Sequence, residues 1–410
     1  MSSVPSETIT SSGEVRRAHA SATLLGVLSL AVAFAITWAL WWVFLDPNGV
    51  LKLYTPMYGF SLVAVLVAVL IAMGGEPTDA TAPSRPPSLA RGLFATSLAV
   101  GIAAFTVHGF FWGFLGRFGV TYFSPRAIIA AGGVGAELFN ARENASTAII
   151  YFATAFIWMA LVLSLGFGSW PWQASSRAVR AFSRLSLAAL LAVVAYAVLF
   201  HPHVTQLFYP AQTMAGVPPW WADFAQTGSA YFNLGWVMAA VAVLVVAEVL
   251  WEGWPWRLLG EGGPLRGGVA LVGSVIAGGV LFVLSLRAMN AAWGEAFQGG
   301  QYTDAPYFRY LHVAELAGFL ILATFAIDTF FGRAHTAIAR SIRTLFAIAG
   351  AGVLHLFYYS PIATRMLGKV QGMAQPEDTP LVWTLLFVAV VLVQRDLFGG
   401  WPLRRGEEAA

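Results

Sequence analysis

The sequence predicts an all-α polytopic integral membrane protein of about ten transmembrane helices, arranged as five hairpins with both termini cytoplasmic. Three observations carry this. Of the 410 residues, 58% are hydrophobic and only 10% are charged. Soluble domains carry roughly 25% charged residues, so lipid must take up apolar surface that a core of this size cannot bury. Ten apolar runs have about the 20-residue length that crosses a bilayer. The basic residues also alternate between connections as the positive-inside rule requires.

The runs lie at about 21–45, 55–74, 92–116, 146–167, 182–201, 229–251, 267–287, 309–331, 343–360 and 379–398. A β-barrel would show short alternating segments between turns. In hydrocarbon every backbone amide must be satisfied within its own segment, which leaves helices. Residues 1–18, polar and rich in Ser and Thr, are expected to be a disordered cytoplasmic N-terminus. Arg16 and Arg17 resemble the charged start of a signal peptide. The run that follows is too long for one and lacks a small-x-small cleavage site, so it reads as a retained first helix. Residues 19–405 then form one transmembrane domain with hairpins at about 21–74, 92–167, 182–251, 267–331 and 343–398, and 406–410 is a short tail.

Orientation follows from the arginines. Arg16, Arg17, Arg85, Arg91, Arg177, Arg180, Arg184, Arg257, Arg266, Arg333, Arg340, Arg343, Arg395, Arg404 and Arg405 fall at the termini or in the even-numbered connections, which is 15 of the 23 Lys and Arg. The other eight (Lys52, Arg117, Arg126, Arg142, Arg287, Arg309, Arg365 and Lys369) are spread over the longer odd-numbered connections. The even connections and both ends are therefore expected inside. The chain is expected in the cell membrane as a multi-pass protein, the inner membrane if bacterial. The lipid bilayer is its first partner, and no nucleic-acid partner is expected.

Four hairpins look like copies. Arg91, Arg184, Arg266 and Arg343 each precede an apolar helix, and the second helices end in related elements: "GSWPW" at 168–172, "EGWPWR" at 252–257 and "GGWPLRR" at 399–405, with "FFGR" at 330–333 as the divergent one. Trp sits well at headgroup level and Pro ends a helix because it has no amide donor, so these elements read as helix stops and interfacial anchors. A partner-docking motif is the alternative. The repeat is parallel. Many transporters instead use inverted repeats with paired broken helices, and no such Gly/Pro-interrupted pairs stand out here.

Cysteine is absent, which removes disulfides, thiolate catalysis and Cys-ligated zinc or iron–sulfur sites. The outer connections, 117–145, 201–228, 288–308 and 361–378, are long and aromatic. Long loops more often carry function, and these are expected to cap the outer surface. Trp220, Trp221, Asp223, Trp293 and Glu295 are the loop residues that would meet a substrate or a membrane or extracytoplasmic protein partner, "PPWWADF" above all. The Gly-rich "AGGVGAE" lacks the Lys-Ser/Thr and the strand of a phosphate loop.

Of seven histidines, His19 and His335 lie in basic cytoplasmic surroundings. His108, His201, His203, His312 and His355 lie in or near the outer halves of the membrane runs. Ionisable residues inside a membrane are functional candidates by default, because burying them is costly. His108 and His201 each come 17 residues after the arginine that opens their hairpin, Arg91 and Arg184. That places both roughly 25 Å along the helix, near the outer boundary. His355 follows Arg343 by 12. Three uses are open. His108, His201, His203 and His312 would ligate a metal or haem. His312, Glu315 and His355 would carry a proton or couple an ion. Otherwise the imidazoles hydrogen-bond loop carbonyls among the headgroups. Glu315, three residues after His312, shares its face. An ion pair of Arg309 with Glu315 or Asp304 is the structural alternative.

Residues 213–256 and 266–320 resemble the C subunit of the copper-dependent membrane monooxygenases that oxidise ammonia or methane. "DFAQTGS" at 223–229 and "NAAWGEAF" at 290–297 carry the likeness. The resemblance implies a bundle of membrane helices with a metal site on its outer face. It breaks at the ligands: where the family has an Asp and two His, this chain has Thr213, Val217 and Ala230. A site built from His201, His203 and neighbours would have to replace that copper site. Three functions follow as expectations. One is a metal- or redox-associated membrane subunit holding copper, iron or haem. One is a small-solute or proton-coupled transporter working through Glu315 or His312. One is a membrane scaffold whose outer loops dock a partner. Enzyme activity stays open.

Overall fold

The computed structural model describes residues 12–46, 48–53, 61–74, 89–115, 136–200, 230–260, 262–297, 306–331, 336–367 and 378–398, with 59 and 304. The described residues are helical and contain no strand. Helix α1 spans Ser12–Leu40, α2 Ser61–Met73, α3 Leu89–Phe105, α4 Ala136–Leu161, α5 Arg177–Leu199, α6 Ala230–Val245, α7 Pro264–Trp293, α8 Pro306–Phe331, α9 Ala337–Tyr358, α10 Pro361–Leu367 and α11 Asp378–Leu392. Five of them, α1, α3, α4, α6 and α11, run on into a π-helical turn, at Trp41–Leu45, Thr106–Trp112, Val162–Gly166, Val246–Leu250 and Val393–Leu397.

Among the described residues, eight helices are long and apolar enough to cross a membrane: α1, α3, α4, α5, α6, α7, α8 and α9, with their π-turns. Of the other two apolar runs, the one at 55–74 contains α2, whose 13 residues reach roughly 20 Å. The one at 379–398 contains α11 and its π-turn.

The helices alternate along the chain between an inner and an outer layer. In α4, 83% of the spanning stretch is buried, and in α9 only 11%. The inner helices α2, α4, α6, α8 and α11 pack side by side: α2 lies against α11 and α4, α4 against α6, and α6 against α8. Between α8 and α11, α1 fills the gap, and Arg395 reaches across to the Phe325 ring at 5.6 Å. Each outer helix packs on the inner helix that precedes it: α3 on α2, α5 on α4, α7 on α6 and α9 on α8. Helix α1 packs on α11.

The inner neighbours α6 and α8, which are not consecutive in the chain, pack most extensively, and each of α3, α5, α7 and α9 packs on the inner helix directly before it. Of the hairpins predicted from the outer loops, α7 and α8 pack along each other, while α3 meets α4 through Phe111 on Phe152 at 5.4 Å and α1 meets α2 through Trp41 and Val63. A short connection leaves antiparallel helices no choice but to be neighbours, whereas a loop of roughly 20–30 residues does not.

The outer helices meet the inner layer through small residues spaced by four. These are Ala33 and Thr37 in α1, Ala99 and Ala103 in α3, Ala188 and Ala192 in α5, Ala270, Ser274 and Gly278 in α7, and Ala347 and Ala351 in α9. Apolar side chains gain nothing by leaving lipid for another helix, so close backbone approach and van der Waals contact must hold the layers together. Gly278 marks the closest approach: a Cβ there would stand 2.5 Å from the Ala240 backbone. The opposite faces present Phe94, Phe182, Leu190, Ile276, Phe346 and Leu356 outward, as a lipid-facing surface requires.

The Trp-Pro elements are turns of one design. After the π-turns of α4 and α6, Phe167 and Trp251 donate back to Val162 and Val246. Ser169 and Gly253 then donate six residues back, to Leu163 at 3.0 Å and Ala247 at 2.9 Å. Gly168, Ser169, Glu252 and Gly253 all have positive φ, and Trp170–Pro171 and Trp254–Pro255 are both cis. Phe398 closes the α11 π-turn in the same way, on Val393. "GGWPLRR" at 399–405 lies outside the described residues.

Arginines lock these turns to the next helix. Arg184, buried at the start of α5, donates to Ser169 Oγ at 3.0 Å and to the carbonyls of Met73 and Gly74 at the end of α2. Arg266 meets Glu248 at 2.6 Å with both side chains buried. Arg340 reaches Glu252 at 2.7 Å, and Arg177 donates to the Asp396 carbonyl at 3.0 Å. Residues that specify orientation in the sequence thus also bind the inner layer to the outer one.

Candidate functional site

Three outer helices carry their inward-facing positions in one register, buried in α5 and α7 but only partly so at His355 and Tyr359. Counting 4, 8, 12 and 16 residues from Arg184 gives Ala188, Ala192, Tyr196 and Phe200; from Arg266, Ala270, Ser274, Gly278 and Phe282; from Arg343, Ala347, Ala351, His355 and Tyr359. The last position meets the preceding inner helix near the end of the bundle opposite the Trp-Pro turns. Phe200 stacks on Tyr151 of α4 at 5.0 Å. Phe282 covers Gly235 of α6, where a Cβ would stand 2.6 Å from its ring. In α9, Tyr359 instead meets a carboxylate: its hydroxyl donates to Glu315 Oε2 of α8 at 2.5 Å.

Around this contact the polar groups collect. His312 and Glu315, three residues apart, lie on one face of α8. His312 Nδ1 lies 3.4 Å from Glu315 Oε2, without the alignment of a hydrogen bond. His355 comes from α9. His312, Glu315 and His355 each offer one ligand atom, and these atoms lie within 4.8 Å of one another. His312 and Glu315 are buried, and His355 is half-buried with its Nδ1 sequestered. Neither Nδ1 has a hydrogen-bond partner among the described residues. Tyr359 stands 4.9 Å from both imidazoles, ring to ring, and the two imidazoles are 5.6 Å apart.

The end of α7 supports this cluster. Arg309, almost wholly buried, donates to Asn290 Oδ1 at 2.9 Å and to the Gly294 carbonyl at 3.0 Å, and lies over the Trp293 ring at 5.3 Å. Trp293 in turn stands 5.3 Å from the His312 ring. The guanidinium thus ties the last turn of α7 to α8 and fixes the wall behind His312.

Among the residues expected to carry function, His312, Glu315 and His355 come together and Trp293 borders them. Glu295 is exposed beyond the end of α7, and the Asp304 carbonyl accepts from Phe297 at 2.9 Å. His108 lies in the π-turn of α3 with its side chain exposed and outside this group. The reason is angular. Seventeen residues from Arg91 is one residue, or about 100°, past the buried position held by Val107. His201, His203, Trp220, Trp221 and Asp223 lie outside the described residues. Tyr359 escaped the sequence reading; its place four residues after His355, on the inward-facing register, was the available signal. Comparison with protein-family models, curated proteins and solved structures finds no match.

Two imidazoles and a carboxylate from two facing helices form a donor set suited to a divalent first-row metal, which accepts mixed nitrogen and oxygen ligands. The same groups, with Tyr359 hydrogen-bonded to Glu315 and His312 Nδ1 3.4 Å from that carboxylate, can also hold a proton.

Proposed function

We propose that this chain is a metal-associated integral membrane protein, with a divalent transition metal held between α8 and α9 by His312, Glu315 and His355 near the outer membrane boundary. The observation that carries this reading is Glu315. The equivalent contacts of α5 with α4 and of α7 with α6 are made by aromatic rings on Tyr151 and Gly235, so the fold has no packing need for a carboxylate there. Burying one among imidazoles costs several kcal/mol unless something compensates its charge. A bound cation would supply that compensation and satisfy the imidazole nitrogens. Copper and iron are the metals to examine first, as Lewis acid or redox centre.

The resemblance to the monooxygenase C subunit stands beside this as a proposal. Trp293 of the fragment "NAAWGEAF" borders the cluster and Asn290 holds Arg309 against it, while the donors differ from that family's. Ten crossings with both termini cytoplasmic complete the reading. They would put the ends of α7 and α9, and so the metal, on the outer side.

The test is metal analysis of the purified full-length chain, followed by Co²⁺ titration read by absorption. Stoichiometric metal and a Co²⁺ spectrum that is lost in Glu315→Gln and in His355→Ala are expected. A spectrum unchanged by both substitutions would overturn the proposal. A second reading rests on Tyr359, Glu315 and His312 as a proton site for coupled solute transport. Gradient-driven uptake into vesicles that is lost in Glu315→Gln, in a chain that binds no metal, would favour it.

A further inference from the structure

The outer helices are not equally covered, and α9, with 11% of its spanning stretch buried, is the barest. Its buried edge runs through Ala347, Ala351 and Tyr358, with His355 half-buried beside them. The neighbouring edge is open and apolar: Val353 is 66% exposed and Leu356 74%. Tyr359 lies one turn beyond Leu356, so the two share a face, and it is 37% exposed although its hydroxyl reaches Glu315. Beyond it α10 buries Ala363 and Leu367 and turns Ile362 and Met366 outward, with exposed Arg365 beside them. A short helix with one such apolar face outward suits the boundary of the bilayer. At roughly 33 Å, the 22 residues of α9 reach that boundary.

The cluster thus lies one side chain deep from a surface that faces lipid. Glu315 and His312 are buried behind Tyr359, and on α9 the exposed side chains next to Tyr359, Val353 and Leu356, are apolar, while Arg365 is the exposed charge on α10 beyond them. We infer that the His312–Glu315–His355 cluster opens sideways into the bilayer past Tyr359, and that the molecule it receives is a small apolar or weakly amphipathic solute dissolved in the membrane. The solute class follows from the mouth. An ion passing Val353, Leu356 and Ile362 would lose its hydration with nothing to replace it. An apolar molecule is already concentrated on that side, by about 0.8 kcal/mol for each CH₂ it carries. Tyr359 has the character such a mouth needs, an apolar ring toward lipid and a hydroxyl toward the carboxylate. This deepens the metal reading by naming what the metal would meet, while the route itself stands on the geometry of α8 and α9 alone.

The test is carbene labelling of the full chain in lipid nanodiscs, read by peptide mass spectrometry. One probe is adamantyl diazirine, which partitions into the bilayer. The other is photoleucine, which stays in water. Label from the first probe and not from the second is expected on the segment 312–315 as well as at Tyr359. Leu356→Trp, which narrows the mouth without touching the cluster, should remove the label on 312–315. Photoleucine labelling of 312–315 at least as strong as that by the apolar probe would overturn the inference, as would apolar labelling of 312–315 that is unchanged in Leu356→Trp or absent in the unmodified chain. A parallel sample with Zn²⁺ separates the two readings. Protection of His312, Glu315 and His355 by Zn²⁺ bears on the metal, and its absence would leave the lateral route standing.

Discussion

Tyr359 donates its hydroxyl to Glu315 at 2.5 Å from the helical position that Phe200 uses to stack on Tyr151 and Phe282 uses to cover Gly235. The same contact, made apolar in two helix pairs, is polar in the third. Stability and function should therefore separate here. The double variant Glu315→Leu/Tyr359→Phe imitates the apolar pairs. It should be neutral or more stable by about 1–4 kcal/mol, because replacing a buried polar cluster by packed apolar groups often is. It should also lose metal. Thermal unfolding in detergent, with metal content measured on the same sample, checks both halves. A double variant that loses stability and keeps its metal would contradict the assignment.

The Arg266–Glu248 pair, 2.6 Å apart and buried on both sides, makes a different demand. Arg266→Ala strands a buried carboxylate at the α6–α7 turn and should cost about 3–5 kcal/mol. Arg266→Met with Glu248→Met removes both charges and should recover most of the loss. A double-mutant cycle in detergent, read by denaturation of the folded protein, gives the coupling.

Gly278 stands against the Ala240 backbone with no room for a side chain. Gly278→Val must push α7 off α6, and the expected cost is about 1–3 kcal/mol, the range for overpacked cores. Gly268, whose added Cβ would meet nothing within 4 Å, is the matched control. Gly268→Val should be close to neutral by the same unfolding measurement.

The absence of cysteine makes the topology directly testable. Ser175, in the α4–α5 turn, and Phe297, beyond the end of α7, are both well exposed or partly so. With a membrane-impermeant maleimide on intact cells, Phe297→Cys should label at once. Ser175→Cys should label only after the membrane is opened. The reverse pattern would invert the orientation and move the cluster to the cytoplasmic side.

Much of the cluster was legible before the fold. His312 and Glu315 stand out as ionisable residues three apart in an apolar run, and His355 as a third in another. Their meeting was not legible, because α8 and α9 leave no mark in sequence of the angle at which they face each other. His108 shows the limit. Depth along a helix follows from counting residues, but one residue of offset turns a side chain by about 100° and takes it off the buried face.

By itself the sequence determined that these helices belong in lipid and which connections carry the arginines, though not every start: α1 begins at Ser12, within the stretch expected to be disordered, and α4 at Ala136, ahead of its apolar run. Those properties follow from transfer of single segments out of water and from charge at the boundary, which are local quantities. Only the tertiary structure decided which helices lie inside and which outside. Inner α4 and outer α5 have nearly the same mean hydropathy, 2.1 and 2.0, because lipid and a neighbouring helix are equally apolar surroundings. The layers are sorted instead by close contact at small residues and by the arginine-locked turns. That sorting brings Glu315 of an inner helix under Tyr359 and His355 of an outer one.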